Sequence, residues 1–171
     1  MVLSNPGQGE IRSATFAEWH PNYNPANSDA YDAAVLTLDS PVSISPIKLS
    51  TSKHNVLEEP GRRLTVAGWG TTSAGGSTTD RMREVSVPLV SDAKAKASYG
   101  SQYFPQLMVA AGQKGKGSYQ GDSGGPLFRP TAPSTRVGIV SFGIGCGRAN
   151  FPGVYSEVNN SSIRSFIVNA E

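Results

Sequence analysis

The residues best suited to chemistry lie in the stretch Gln120-Gly121-Asp122-Ser123-Gly124-Gly125-Pro126-Leu127. A serine hydroxyl acts as a nucleophile when a tight turn exposes it. It also needs backbone N–H groups nearby, free to hold the oxyanion formed on attack at a carbonyl. Glycines on both sides allow such a turn and let a substrate backbone come close. Read alone, an Asp-Ser-Gly-Gly stretch is usually just a turn, so its meaning depends on what surrounds it.

Further blocks flank it. Upstream stand His20-Pro21-Asn22-Tyr23, then Tyr31-Asp32-Ala33-Ala34-Val35-Leu36-Thr37-Leu38, then Ala67-Gly68-Trp69-Gly70. Downstream stand Gly138-Ile139-Val140-Ser141-Phe142-Gly143 and Pro152-Gly153-Val154-Tyr155-Ser156-Glu157-Val158. These five blocks, with the Gly-Asp-Ser-Gly-Gly turn among them, resemble the chymotrypsin/trypsin-like serine proteases in order and rough spacing. The resemblance runs from about Ile11 to Ile167.

That resemblance implies roles, position by position. Ser123 matches the nucleophile, and the N–H groups of Gly121 and Ser123 match the oxyanion hole. Asp32 matches the carboxylate that orients a catalytic imidazole; without the other blocks it would read as a turn residue leading into a strand. Asp122 resembles the carboxylate that pairs with the N-terminal amine released on zymogen cleavage. Ser141 looks like the serine that hydrogen-bonds the aspartate. The edge Ser141, Phe142 and Gly143 looks like the one that pairs with substrate in β fashion. Gly117, Ser118, Gln120 and Gly153 match the substrate-binding pocket, with Gly117, six residues before Ser123, at its floor. An uncharged floor implies preference for apolar or aromatic residues. Lys114 and Lys116 read as solvated loop residues. The resemblance implies neither metal nor cofactor, and its partner is a protein or peptide substrate.

The family order is His, Asp, Ser, and the histidine belongs well before Asp32 in a Thr-Ala-Ala-His-Cys-like block. The only histidines are His20 and His54. His20 falls in a surface His-Pro motif, and His54 reads as a solvated loop residue. The chain is therefore expected to be an N-terminally truncated member, inactive alone. The competing reading is a protease-like binding protein acting as decoy, inhibitor or adaptor. Ala95 and Ala110 stand where the resemblance implies one disulfide. Tyr119 and Cys146 stand at the two halves of another, which leaves Cys146 single, most simply a small buried hydrophobe.

Composition sets the bounds. A chain of 171 residues is long enough for one sizeable core. With 15 basic against 13 acidic residues, nothing calls for nucleic acid or an anionic membrane. No apolar run approaches the ~20 residues of a spanning helix. Met1 to Gly7 has neither the basic region nor the apolar stretch of a signal peptide. Secretion is implied by the resemblance alone, and the oligomeric state stays open.

The elements that must position these residues are short. Strands are expected at Ile11 to Trp19, Ala33 to Leu38, Leu64 to Gly70, Val85 to Leu89, Leu107 to Ala110, Val137 to Phe142 and Gly153 to Val158. Ser40 to Arg63 reads as a long connector. Helices are expected over Ser91 to Ser98 and Ser161 to Ala170. The sequons in Asn159-Asn160-Ser161-Ser162 read more plainly as an N-cap for the second helix. The fold class is all-β: a chymotrypsin-like double Greek-key barrel with the first barrel incomplete and a C-terminal helix. Residues 1–62 should carry the remainder of the first barrel and the connector. Residues 63–171 should carry the second barrel and the helix.

Overall fold

The computed structural model describes residues 1–51, 56–73, 75–145 and 147–170. Among these residues, nine strands and two α-helices position the candidate site. Strands β1 (Ala14–Trp19) and β2 (Ala34–Leu38) form a two-stranded antiparallel sheet. Strand β3 (Lys48–Leu49) adds in parallel to the edge of the main sheet. The main sheet holds β4 (Arg63–Gly68), β5 (Arg83–Val90), β6 (Met108–Ala111), β7 (Pro126–Arg129), β8 (Thr135–Phe142) and β9 (Gly153–Glu157). These six pair antiparallel in the ring β4-β5-β6-β9-β8-β7, which β7 and β4 close. The protein is thus mostly β, with a closed six-stranded barrel and a C-terminal helix.

Alternation along the strands builds the core. Leu64 and Val66, Val87 and Leu89, and Val109 and Ala111 all turn inward on Leu127, Val137, Val140 and Tyr155. Side chains on a strand alternate faces, so a period of two fills a barrel interior. A second cluster lies under helix α1 (Asp92–Tyr99), where Ala95 and Ala110 are both buried with Tyr99, Tyr103, Leu107 and Val154. Ser91 starts α1 by accepting the Lys94 N–H, and Gly100 ends it at φ 58°. Helix α2 (Ser161–Asn169) is capped by Asn160, whose Oδ1 accepts the N–H groups of Ser162 and Ile163.

Two strands differ from the sequence expectation. Pro126–Arg129 is a strand, although Pro at its head and a glycine-rich approach hide it. Lys48–Leu49 is a strand inside the expected connector; two residues carry no periodicity. The β1–β2 sheet presents large apolar side chains to solvent, with Phe16 at 57% and Trp19 at 67% exposure. Residues near the start of the chain lie against the barrel loop, where Ser4 donates from N and Oγ to the Asp80 carboxylate.

One acidic pair sits where the connector meets β9. The Glu58 and Glu157 carboxyls meet, and Asn159 Nδ2 donates to Glu58 Oε2 at 3.0 Å. Burial, then the facing Glu58 and the more distant Asp92, push Glu157 from the ordinary carboxylate range up to about 8. Burial also raises Glu58. Tyr103, bonded to Asp92, is a further titratable group at this place, and the Lys96 ammonium is engaged by the Tyr103 carbonyl. A raised carboxyl retains its proton in the fold after the unfolded chain has lost it. Its contribution is fully present below the unfolded value and is lost as pH rises through about 8. Comparing Glu157→Gln with wild type in thermal melts from pH 5 to pH 9, the variant should gain relative stability as pH rises. Parallel pH profiles for the two proteins would contradict this.

Candidate active site

The turn between the Gly117 loop and β7 is built from two overlapping bonds. Tyr119 O accepts the Asp122 N–H at 3.0 Å, and Asp122 O accepts the Gly125 N–H at 2.8 Å. Gly121 sits at φ 92° and Gly124 at φ 77°, conformations that side chains other than glycine rarely adopt. The Gln120 carbonyl accepts from Thr71, and the Gly124 N–H donates to Val140, so the turn is tied to both neighbours. Among the described residues, the Gly121 and Ser123 N–H groups donate to no protein acceptor. Ser123 itself is exposed.

The Asp122 side chain turns the opposite way. Its Oδ1 accepts the Gly70 N–H at 2.8 Å and its Oδ2 accepts the Tyr119 N–H at 2.9 Å. The Gly68-Trp69-Gly70 block makes room for it. A Cβ at Gly68 would lie 2.1 Å, and one at Gly70 2.5 Å, from carboxyl atoms of Asp122. Beside the carboxylate lies a cavity of ≈ 170 Å³ bordered by Gly68, Thr71, Arg83, Lys116 and Gly117.

Ser123 opens on a separate recess of ≈ 210 Å³, with Ser118, Gln120, Ser141, Phe142 and Gly143 around it. Of the expected pocket residues, Gly117 borders the Asp122 cavity rather than this recess. Gly153 packs against Gly143, Ser118 and Tyr155, where a Cβ would meet the Ser118 Oγ at 3.0 Å. Lys114 and Lys116 are exposed.

Asp32 stands just before β2 and is held by the barrel at both ends. Ser141 Oγ donates to Asp32 Oδ2 at 2.6 Å, and Ser156 Oγ donates to the Asp32 carbonyl at 2.6 Å. Ser141 therefore joins the Ser123 recess to the Asp32 carboxylate. Ser156 was missed from sequence, although it stands inside the Gly-Val-Tyr-Ser block. Asp29 was missed as well; burial, then the Asp32 charge, raise its pKa.

His20 is a correction to the sequence reading. It is not a surface residue but only 2% exposed. Its ring stacks on Tyr31 at 4.7 Å and meets the Phe166 edge at 5.2 Å. Nδ1 accepts the Asn22 N–H at 3.2 Å, which leaves the Nε2 hydrogen for Ser162 Oγ at 3.0 Å. Burial lowers its pKa, as expected where desolvation disfavours the cation. Both nitrogens are engaged, Nε2 against helix α2 and Nδ1 within the turn that follows β1. His54 and Cys146 lie outside the described residues.

The family model described as Trypsin matches residues 2–167. The chain is 38% identical to a trypsin of Saccharopolyspora erythraea over 152 residues, 88% of this chain and 64% of that one. It is 46% identical to trypsin-1 of Astacus astacus over 120 residues, 68% and 49% of the two chains. Against trypsin alpha-3 of Lucilia cuprina it is 38% identical over 169 residues, 97% and 98% of the two chains. The chain belongs to the trypsin family. It spans about half to two thirds of the length of the first two of these relatives.

The turn geometry yields a paired expectation. Gly121→Ala forces a side chain into a positive φ, with its Cβ 3.2 Å from Gly70 Cα and from Thr78 Cγ2. It should cost about 1–3 kcal/mol. A Cβ at Gly117 meets nothing within 4 Å, so Gly117→Ala should stay within about 0.5 kcal/mol of wild type. Urea unfolding followed by tryptophan fluorescence measures both, and equal losses would contradict the reading.

Proposed function

We propose that this chain carries the nucleophile and the orienting carboxylate of a secreted serine endopeptidase that acts through an acyl-enzyme. The observation that carries this is the Ser141 bond to Asp32, because it sets a carboxylate beside the recess on which Ser123 opens. Ser123 Oγ attacks the scissile carbonyl carbon, and its proton passes to an imidazole seated between Ser123 and Asp32. The carbonyl oxygen takes the negative charge, held by the Gly121 and Ser123 N–H groups. The imidazolium then returns the proton to the leaving amine, and water repeats the sequence on the acyl-enzyme. Asp32 holds the imidazole ring and its positive charge. Asp122 is the acceptor for a processed N-terminal amine, and the cavity beside it is the space such a terminus would enter.

Within these 171 residues, neither histidine is assigned the general-base role. His20 is spent on Ser162 and Asn22, and His54 belongs by its sequence setting to the connector. Loss of the base costs a serine protease of another fold about a million-fold in turnover. The 171-residue chain alone should therefore neither hydrolyse peptides nor react with a fluorophosphonate probe. The same chain extended by a segment carrying the family's histidine block and a cleavable activation site should do both. Expressing the two side by side and labelling each with the probe is the test. Stoichiometric labelling of Ser123 in the short form would overturn the assignment of roles. Silence in both forms would favour a protease-like binding protein.

The substrate is a protein or peptide, laid in β fashion along Ser141 to Gly143. The family match puts Gly117 at the floor position of the specificity pocket, where it brings no carboxylate, so the extended form should cleave after Phe or Leu faster than after Lys or Arg. A peptide library reads this directly, and a preference for Arg would show that the floor lies elsewhere.

A further inference from the structure

Arg136 lies on β8 outside the residues assigned to catalysis. Pairing of β7 with β8 runs Leu127 to Gly138 and then Phe128 to Arg136, so Val137 is the extra residue of a β-bulge. A bulge re-aims the neighbouring side chains. The Arg136 guanidinium reaches the far side of the Ser123 turn. Nη2 donates to Gly124 O at 2.8 Å and to Gly125 O at 3.3 Å, and Nε donates to Gly138 O at 3.3 Å. Among the described residues no carboxylate pairs with it. Three carbonyl oxygens hold a guanidinium that burial disfavours as a cation.

The position of these bonds gives Arg136 a task. Gly124 O and the Gly125 N–H belong to one peptide unit, and the Gly125 N–H donates to Asp122 O. Asp122 O and the Ser123 N–H belong to the next. In a trans peptide unit the C=O and N–H point in opposite directions. A line of dipoles therefore runs from the Arg136 cation through the 124–125 unit, then through the 122–123 unit, and ends on the Ser123 N–H. Charge at one end of such a chain polarises every bond along it.

We propose that Arg136 is a positioning residue for the oxyanion hole: through the Gly124 and Asp122 carbonyls it aims and polarises the Ser123 N–H. This rests on the reading of Ser123 as nucleophile. Removing the cation frees the 124–125 unit to rotate and weakens the Ser123 N–H as a donor to developing negative charge. Such a donor matters to the transition state more than to the bound substrate.

The test has two arms, with Arg136→Met, which keeps the aliphatic stem, and Arg136→Lys, which keeps the charge without the fork. In the first arm, amide hydrogen exchange is measured by NMR on the 171-residue chain. Exchange at Gly125 should quicken about tenfold in Arg136→Met and less in Arg136→Lys, while the β6 amides of Val109 and Ala110 stay unchanged. Unchanged exchange at Gly125, or an equal rise throughout the barrel, overturns the proposal. In the second arm, the histidine-extended form is assayed. There kcat should fall about tenfold in Arg136→Met at nearly constant KM, a smaller loss than the 10²–10³ of removing an oxyanion donor outright. Arg136→Lys should recover part of it. A loss confined to KM overturns the proposal. If the extended wild type hydrolyses nothing, the protease reading fails, and the exchange arm still decides whether Arg136 governs the turn.

Discussion

The carboxylate of Asp122 constrains the arrangement around it. A carboxylate turned away from solvent needs hydrogen-bond donors, and here the Gly70 and Tyr119 N–H groups supply them. Satisfying Asp122 inward fixes the peptide on each side of it, which leaves Ser123 facing outward. The same demand explains the glycines at 68 and 70, since any side chain there would occupy the space of the carboxyl group. Two glycine-rich blocks far apart in sequence thus answer one requirement. With its present partners Asp122 is held within the chain, and an arriving amine would compete with backbone donors for the same oxygens.

The second constraint is long-range. Asp32 follows Tyr31, which sits at φ 59°. A large side chain in that region is strained, and the strain is held by stacking of Tyr31 on His20. Two serines on adjacent barrel strands then fasten the aspartate, Ser141 through its carboxylate and Ser156 through its carbonyl. His20 plays its part from behind, tying the Asn22 turn to helix α2. The histidine that draws attention in the sequence acts as a buried neutral strut.

Much of this was legible in the residues themselves. Alternation at Val85, Val87 and Leu89 marked β5, short apolar segments between turn residues marked most other barrel strands, and Ser91 and the Asn159-to-Ser162 stretch marked the helix starts through capping chemistry. The glycine-rich turn declared itself because few other residues tolerate its backbone angles. What escaped notice has physical reasons. The β7 strand begins at a proline, and β3 has two residues, too few for any period. The burial of His20 depends on Tyr31 and Phe166, which lie 11 and 146 positions away and leave no local trace. The Glu58 and Glu157 pair and the reach of Arg136 to Gly124 arise only once the sheet closes. Nothing in a charged residue on a strand says which carbonyl it will find.

The two parts of the chain are held in different ways. The barrel closes on itself, so none of its six strands needs an outside partner, and its interior is apolar. The β1–β2 sheet has two strands, a size that is marginal on its own, and it leaves Phe16, Trp19, Leu36 and Leu38 exposed. Prominent among its links to the barrel and to α2 are polar or aromatic contacts: Asp32 with Ser141 and Ser156, and His20 with Ser162 and Phe166. A few such hydrogen bonds contribute about 1 kcal/mol each, far less than a packed apolar interface. Asp32 and Ser123 therefore rest on different supports, although Ala30 and Tyr31 also pack against the cluster under α1. Ser123 moves with the barrel, whereas Asp32 stays in register only while the hairpin is docked. Any group that covers the apolar face of that hairpin also stabilises the geometry of the candidate site, because it removes the cheapest way for Asp32 to leave Ser141.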